Sequence, residues 1–189
     1  NAYDIIKTTN GLPAVCGRVC PQENQCEGKC VRGIKGEPVG IGRLERFAAD
    51  YMLSQTPKSV DIPKSNGHKV AVVGAGPAGI ASAYFLARAG ASVTVFEKEE
   101  KAGGVIRYVI PGFRISDDAI DKDVSFIQKM GVEIKTGTEV KSVQELKAQG
   151  YDAVIVATGA NKPGTLKLEK GETINALKFL RDFKATDGK

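Results

Sequence analysis

The chain has 189 residues, 42% of them hydrophobic, which is enough apolar material for a buried core in one or two domains. Its net charge of +5 is spread out: residues 1–66 carry 9 Lys+Arg against 7 Asp+Glu, and the remainder 18 against 15. That excludes the concentrated basic face of a nucleic-acid binder and leaves an acidic partner protein open. No apolar run reaches the length of a membrane span, and no charged-then-apolar signal pattern opens the chain, so the expectation is a cytoplasmic protein without a membrane role. A start at Asn1 rather than Met suggests a processed or excised piece.

Residues 2–9 read as the end of a helix, stopped by Asn10-Gly11. All four cysteines follow between Cys16 and Cys30, spaced C-x3-C-x5-C-x3-C. Clustered thiols in a chain with no export signal point to metal more than to disulfides. Zinc ribbons favour C-x2-C pairs, which fit poorly here, whereas Cys20-Pro21 has the form seen after an iron–sulfur ligand. On spacing alone iron–sulfur, zinc, and disulfide or free thiols all stay open. Residues 38–53 read as an amphipathic helix starting at Pro38, with Ile41, Leu44, Phe47, Ala48 and Tyr51 on its apolar face. Ser54–Gly67, with two prolines and no helical stripe, reads as a linker. The expected domains are therefore 1–66, small, helical and cysteine-bearing, and 67–189, an α/β domain.

The chain is organised around Val70–Glu97. Val70–Val73 is a β-branched run suited to a buried parallel strand. Gly74-x-Gly76-x-x-Gly79 fits the dinucleotide-binding fingerprint: Gly74 for a tight turn, Gly76 for approach of a pyrophosphate, Gly79 for close helix–strand packing. An Ala-rich helix runs from there to Gly90, and its N-terminus offers free N–H groups and partial positive charge to phosphates. A second strand, Ser92–Phe96, delivers Glu97, a ribose acceptor about 20 residues past the glycines. An acid there disfavours a 2′-phosphate in the same pocket.

Gly103-Gly104 can let the chain pass close to a cofactor. The apolar stretch 105–115 is expected to pack on the core or line a pocket, with Arg107 and Arg114 either contacting phosphate or a partner, or lying at the surface with buried stems. Ser116 caps a helix over 117–130 with Ile120, Val124 and Ile127 as its inner stripe. A third strand is expected at Val132–Lys135, a short helix at 143–149 capped by Ser142, and a buried strand over 151–159 ending at Thr158-Gly159, where α/β sheets bind ligands. One more helix follows near the C-terminus. The single histidine, His68, is read as a surface residue.

Five stretches in order, V-C-G-R-V-C-P-Q-E-N-Q-C-E-G-K-C, I-G-R-L-E-R-F, V-V-G-A-G-P-A-G, G-G-V-I-R-Y-V-I-P-G-F-R-I and V-I-V-A-T-G-A, resemble the glutamate synthase small chain. They resemble equally the flavin subunit of NADH-dependent ferredoxin:NADP oxidoreductase and the N-terminal half of dihydropyrimidine dehydrogenase. The resemblance implies a Rossmann-like FAD-binding parallel sheet preceded by a small α-helical, iron–sulfur type domain. It implies FAD held at its pyrophosphate by Gly74, Gly76, Pro77, Ala78 and Gly79, and at its ribose by Glu97 with Lys98 beside it. Gly104 and Arg114 would lie along the flavin–phosphate path, Val140 at the adenine, and Thr158-Gly159 over the cofactor. The cysteines would serve two 4Fe–4S clusters, Cys20, Cys26 and Glu45 on one and Cys30 on the other, with Cys16 a non-ligand. No side chain is implied as a catalytic acid, base or nucleophile. Electrons from NAD(P)H would pass through FAD and the clusters to a partner, in glutamate synthase the large subunit.

The resemblance implies further parts that this chain lacks. Family members carry more cysteines upstream, and residues 1–15 contain none. They also insert an NAD(P)H-binding domain with its own glycine fingerprint after the Thr-Gly turn, where only 30 residues remain here, and they close with a final flavin-binding segment. The expectation is a segment of a longer or split enzyme that does not oxidise NADPH alone. Two rival readings are a plain NAD-binding dehydrogenase domain with a zinc-stabilised N-terminal module, and a non-enzymatic interaction module.

Overall fold

The computed structural model describes residues 2–55, 60, 62–160, 164 and 168–186. Parts of the expected linker and of the segment after Gly159 lie outside the described residues. Three helices come first: α1 (Ala2–Lys7), α2 (Pro13–Val19) and α3 (Ile41–Ser54), with two 3-10 turns, Gln22–Asn24 and Val31–Ile34, carrying the chain between α2 and α3. The α/β part follows as β1 (Lys69–Val73), α4 (Pro77–Arg88), β2 (Ser92–Phe96), α5 (Val105–Tyr108), α6 (Asp117–Lys129), β3 (Glu133–Lys135), α7 (Val143–Ala148), β4 (Ala153–Val156) and α8 (Ala176–Ala185).

The four strands form one parallel sheet in the order β3-β2-β1-β4. Val70–Val73 pair with Val93–Phe96 on one side and Ala153–Val156 on the other. The main core lies under one face, where Val72, Val93 and Val95 meet Ile80, Ala83 and Tyr84 of α4 and Ile120, Val124 and Ile127 of α6. That inner stripe of α6 is the one its helical spacing predicts. Ser116 caps the helix, its hydroxyl accepting from the Ala119 N–H, and Ser142 caps α7 in the same way from the Gln144 N–H. Leu12 and Val15 join the same core, so the N-terminal helices pack directly on the α/β layer.

Two expectations are corrected. The strand ending at Thr158 is not buried: β4 pairs only with β1 among the described residues, and Val156 is 61% exposed. An edge strand is covered on fewer sides than a central one, so its apolar sequence does not report burial. The apolar stripe of α3 also faces outward. Leu44, Phe47 and Tyr51 are exposed while Gly42 and Ala49 are buried, and the helix starts at Ile41, not Pro38. The cause is backbone proximity: a Cβ on Gly17 of α2 would lie 2.7 Å from the Arg46 nitrogen, and one on Gly42 would strike the Gln22 side chain. Only small residues fit where α3 crosses α2, so the larger apolar ones turn away.

Candidate functional site: a dinucleotide cradle and four thiols

At the carboxyl end of β1 each glycine of the G-x-G-x-x-G turn has a separate steric reason. Gly74 has φ +103°, and a Cβ there would lie 2.4 Å from the Ala157 carbonyl oxygen. A Cβ on Gly79 would overlap the Gly74 carbonyl oxygen at 1.9 Å, so α4 can lie this close to the strand only with glycine. Gly76 differs: a Cβ there would meet nothing within 4 Å. Among the described residues no protein atom accounts for a glycine at that position, whereas close approach of a ligand to the backbone would.

Gly76 is also the N-cap of α4, which begins with Pro77 and has no side-chain cap. The amides of Ala78 and Gly79 are therefore presented at the positive end of a twelve-residue helix whose N-cap residue supplies no side-chain acceptor. Facing the turn is Glu97, 6% exposed. Its Oε2 accepts from the Ala75 N–H at 2.7 Å and its Oε1 from the Glu99 N–H at 3.0 Å. Two bonds leave lone pairs on the carboxylate for further donors such as ribose hydroxyls.

The Gly103-Gly104 turn closes one side. The Gly103 N–H donates to the Ala75 carbonyl, and a Cβ on Gly104 would lie 2.9 Å from the Gly76 Cα. Arg107 is neither a phosphate ligand nor a surface residue. Its side chain is 3% exposed and pairs with Asp117 and Asp121 of α6, with Nε donating to the Ala102 carbonyl. Its charge is spent holding this loop, because a buried guanidinium needs carboxylate partners. Arg114 and Lys98 are exposed, Val140 packs against the cluster under Phe96 and Tyr151, and Thr158-Gly159 follow β4 beside Gly74. His68 is exposed at the sheet margin, 3.7 Å from Asp152.

The chain belongs to the pyridine nucleotide-disulphide oxidoreductase family. The model for that family matches residues 68–188, from β1 through α8. A second model, for dihydropyrimidine dehydrogenase domain II with its 4Fe–4S cluster, matches residues 1–57. The Escherichia coli K12 protein YgfK is 38% identical over 189 residues, covering 97% of this chain and 18% of YgfK. The NAD-dependent dihydropyrimidine dehydrogenase subunit PreT of the same organism is 39% identical over 193 residues, covering 99% of this chain and 46% of PreT. The glutamate synthase (NADPH) small chain of Bacillus subtilis is 38% identical over 186 residues, covering 96% and 37%. The chain thus spans less than half the length of these relatives. The resemblance read from five sequence stretches is the one these matches show.

In this chain the thiols are less assembled than the cradle. All four cysteines are free, and among the described residues no three Cys, His, Asp or Glu side chains are placed to hold one metal ion. Cys20, Cys26 and Glu45 are not gathered on a common centre. The Val39 N–H donates to the Cys30 sulfur at 3.5 Å, and that bond, with the neighbouring amides of Arg32 and Gly33, holds the thiol below its ordinary pKa. Cys16 shifts the opposite way. Burial pushes it up to about 12, opposed by a bond to Asn10 and reinforced by Cys20 and Glu45.

Asn10 ties this corner together. Its Oδ1 accepts from the Leu12 N–H at 2.8 Å and from the Cys16 thiol at 3.6 Å, and its Nδ2 donates to Glu45 Oε1 at 2.6 Å. Burial raises the Glu45 pKa, and that bond opposes the rise. Sequence reasoning read Asn10 only as a helix stop and passed over Asp123. Asp123 falls on the inner stripe of α6, three residues after Ile120 and four before Ile127, which is the signal that could have found it.

Proposed function

We propose that this chain supplies the FAD-binding fold and the cysteine module of an NAD(P)H-dependent electron-transfer flavoenzyme of the glutamate synthase small chain type. Gly76, Ala78 and Gly79 present backbone amides to the FAD pyrophosphate, the α4 N-terminus adds its partial positive charge, and Glu97 accepts from the adenosine ribose. Gly104 keeps its loop flat against Gly76 so that the channel stays open. Val140 near the adenine, and Lys98, Arg114 and Thr158-Gly159 along the rest of the cofactor, complete the proposed contacts. FAD, when bound, supplies hydride acceptance and one-electron release; the protein binds it, orients it and excludes water.

The observation that carries this reading is the open space over Gly76, in a turn whose other two glycines are forced by protein contacts. The 4Fe–4S character of residues 1–57 rests on the family match, and Cys20, Cys26, Cys30 and Glu45 are the ligands proposed there. NAD(P)H as electron donor, a partner subunit as acceptor and a cytoplasmic setting follow from the same resemblance. Among the described residues no helix is long and apolar enough to cross a membrane.

The test is the visible spectrum and metal content of protein purified without oxygen. A flavin spectrum with iron and sulfide is expected. Colourless protein carrying zinc and a pyridine nucleotide would instead favour the NAD-binding dehydrogenase reading.

A further inference from the structure

The corner between α1 and α2 does not satisfy its own backbone. Helix ends leave carbonyls and amides without intrahelical partners. At the end of α1 the Tyr84 hydroxyl donates to the Lys7 carbonyl at 2.7 Å, and Arg88 donates to the carbonyls of Lys7 at 2.8 Å and Thr8 at 3.2 Å. At the start of α2, Asp123 Oδ2 accepts from the Val15 N–H at 3.0 Å. Tyr84 and Arg88 stand on α4 and Asp123 on α6, so side chains of the dinucleotide fold cap both helix ends.

Inside the corner Lys7 is 5% exposed and Asp123 is fully buried. Lys7 Nζ donates to the Gly11 carbonyl at 2.8 Å and lies 4.0 Å from the centre of the Tyr84 ring and 4.3 Å from that of Phe126. A Cβ on Gly11 would press on the Tyr84 ring at 2.9 Å. A module free to swing would strand a buried carboxylate and a buried ammonium, which is costly.

We propose that Lys7, Tyr84, Arg88 and Asp123 form a buried mount that fixes the thiol-bearing helix α2 on the dinucleotide fold, with Asp123 as the positioning residue. α4 then carries the phosphate cradle at its first turn and the cysteine module at its last. The separation between Cys16 or Cys20 and the cradle is then set by α4 and α6 together. The mount holds with or without bound cofactor, so its failure and that of the flavin reading are separate results.

Hydrogen exchange on the full chain as purified tests it. In Asp123→Ala the amides of Ala14 and Val15 exchange at least about tenfold faster, while those of β1 and β2 stay within about twofold. Asp123→Asn, which keeps an acceptor oxygen for Val15, restores most of the protection. Unchanged α2 exchange, or protection lost equally across β1 and β2, overturns the proposal. Should Asp123→Ala fail to fold, Tyr84→Phe removes only a hydroxyl. Faster exchange confined to residues 2–19 supports the mount; uniform change or none overturns it.

Discussion

The two halves of the molecule prepare for their ligands differently. The dinucleotide cradle is made of glycines, backbone amides and a buried acid, Glu97. The cysteine module relies on side chains: Cys26 is exposed, burial raises the Cys16 thiol, and Cys30 accepts from the Val39 N–H. A cradle made of backbone is built by the same steric rules that build the fold. A metal site made of side chains needs the metal's own bonds to bring its ligands together.

The sharpest way to break that contrast is Gly79→Val. The added carbon overlaps the Gly74 carbonyl oxygen, so the strand–helix unit must open. A loss of about 3 kcal/mol or more is expected in urea unfolding, with the cradle lost as well. Stability within about 0.5 kcal/mol of the parent would show that the cradle is not rigid.

The join between the halves is read by pH. Burial pushes Asp123 up to about 6, with the amides of Val15 and Ala14 and the Lys7 ammonium opposing. Folded Asp123 therefore holds its proton more tightly than unfolded Asp123. It favours the folded state at low pH, and that advantage is lost as pH rises from about 4 through about 6. Over that window the stability of the parent relative to Asp123→Asn should fall by about 1–2 kcal/mol. Parallel profiles would place the carboxylate in water.

Glu97→Gln sharpens the account of the cradle. It replaces one of the two oxygens that accept from Ala75 and Glu99 with a donor, leaving a buried N–H facing another. A loss of about 1–2 kcal/mol in stability and about tenfold in dinucleotide affinity is expected by denaturation and titration. The smallest effect belongs to the cysteine module: Phe47 is 69% exposed on α3, and Phe47→Ser should change stability by no more than about 0.5 kcal/mol. A larger loss would mean that this face is covered in the protein in solution.

What the sequence revealed follows the same division. β1, the glycine turn, α4, β2 and Glu97 were legible because strand pattern, glycine spacing, helix and acid follow one another in order within 28 residues. The outward face of α3 was misread because amphipathic spacing reports which residues share a side, not which side meets a neighbour. Gly17 and Gly42 decide that, through a helix crossing that no local pattern encodes. Arg107 was ambiguous for the same reason: its partners Asp117 and Asp121 are near in sequence, but only the packing of α5 on α6 turns the guanidinium inward. Asp123 is one of several acids on α6, and only the packing of α2 on that helix brings the Val15 N–H to it.

The most direct measurement is the nucleotide released on denaturing the purified protein, compared between the parent and Gly76→Val. Because a Cβ on Gly76 would point into open space, the variant should fold with an unchanged circular dichroism spectrum while losing bound FAD; the parent should release close to one FAD per chain. FAD retained at full occupancy by a folded Gly76→Val protein, or a parent that releases no adenine dinucleotide, would contradict the account.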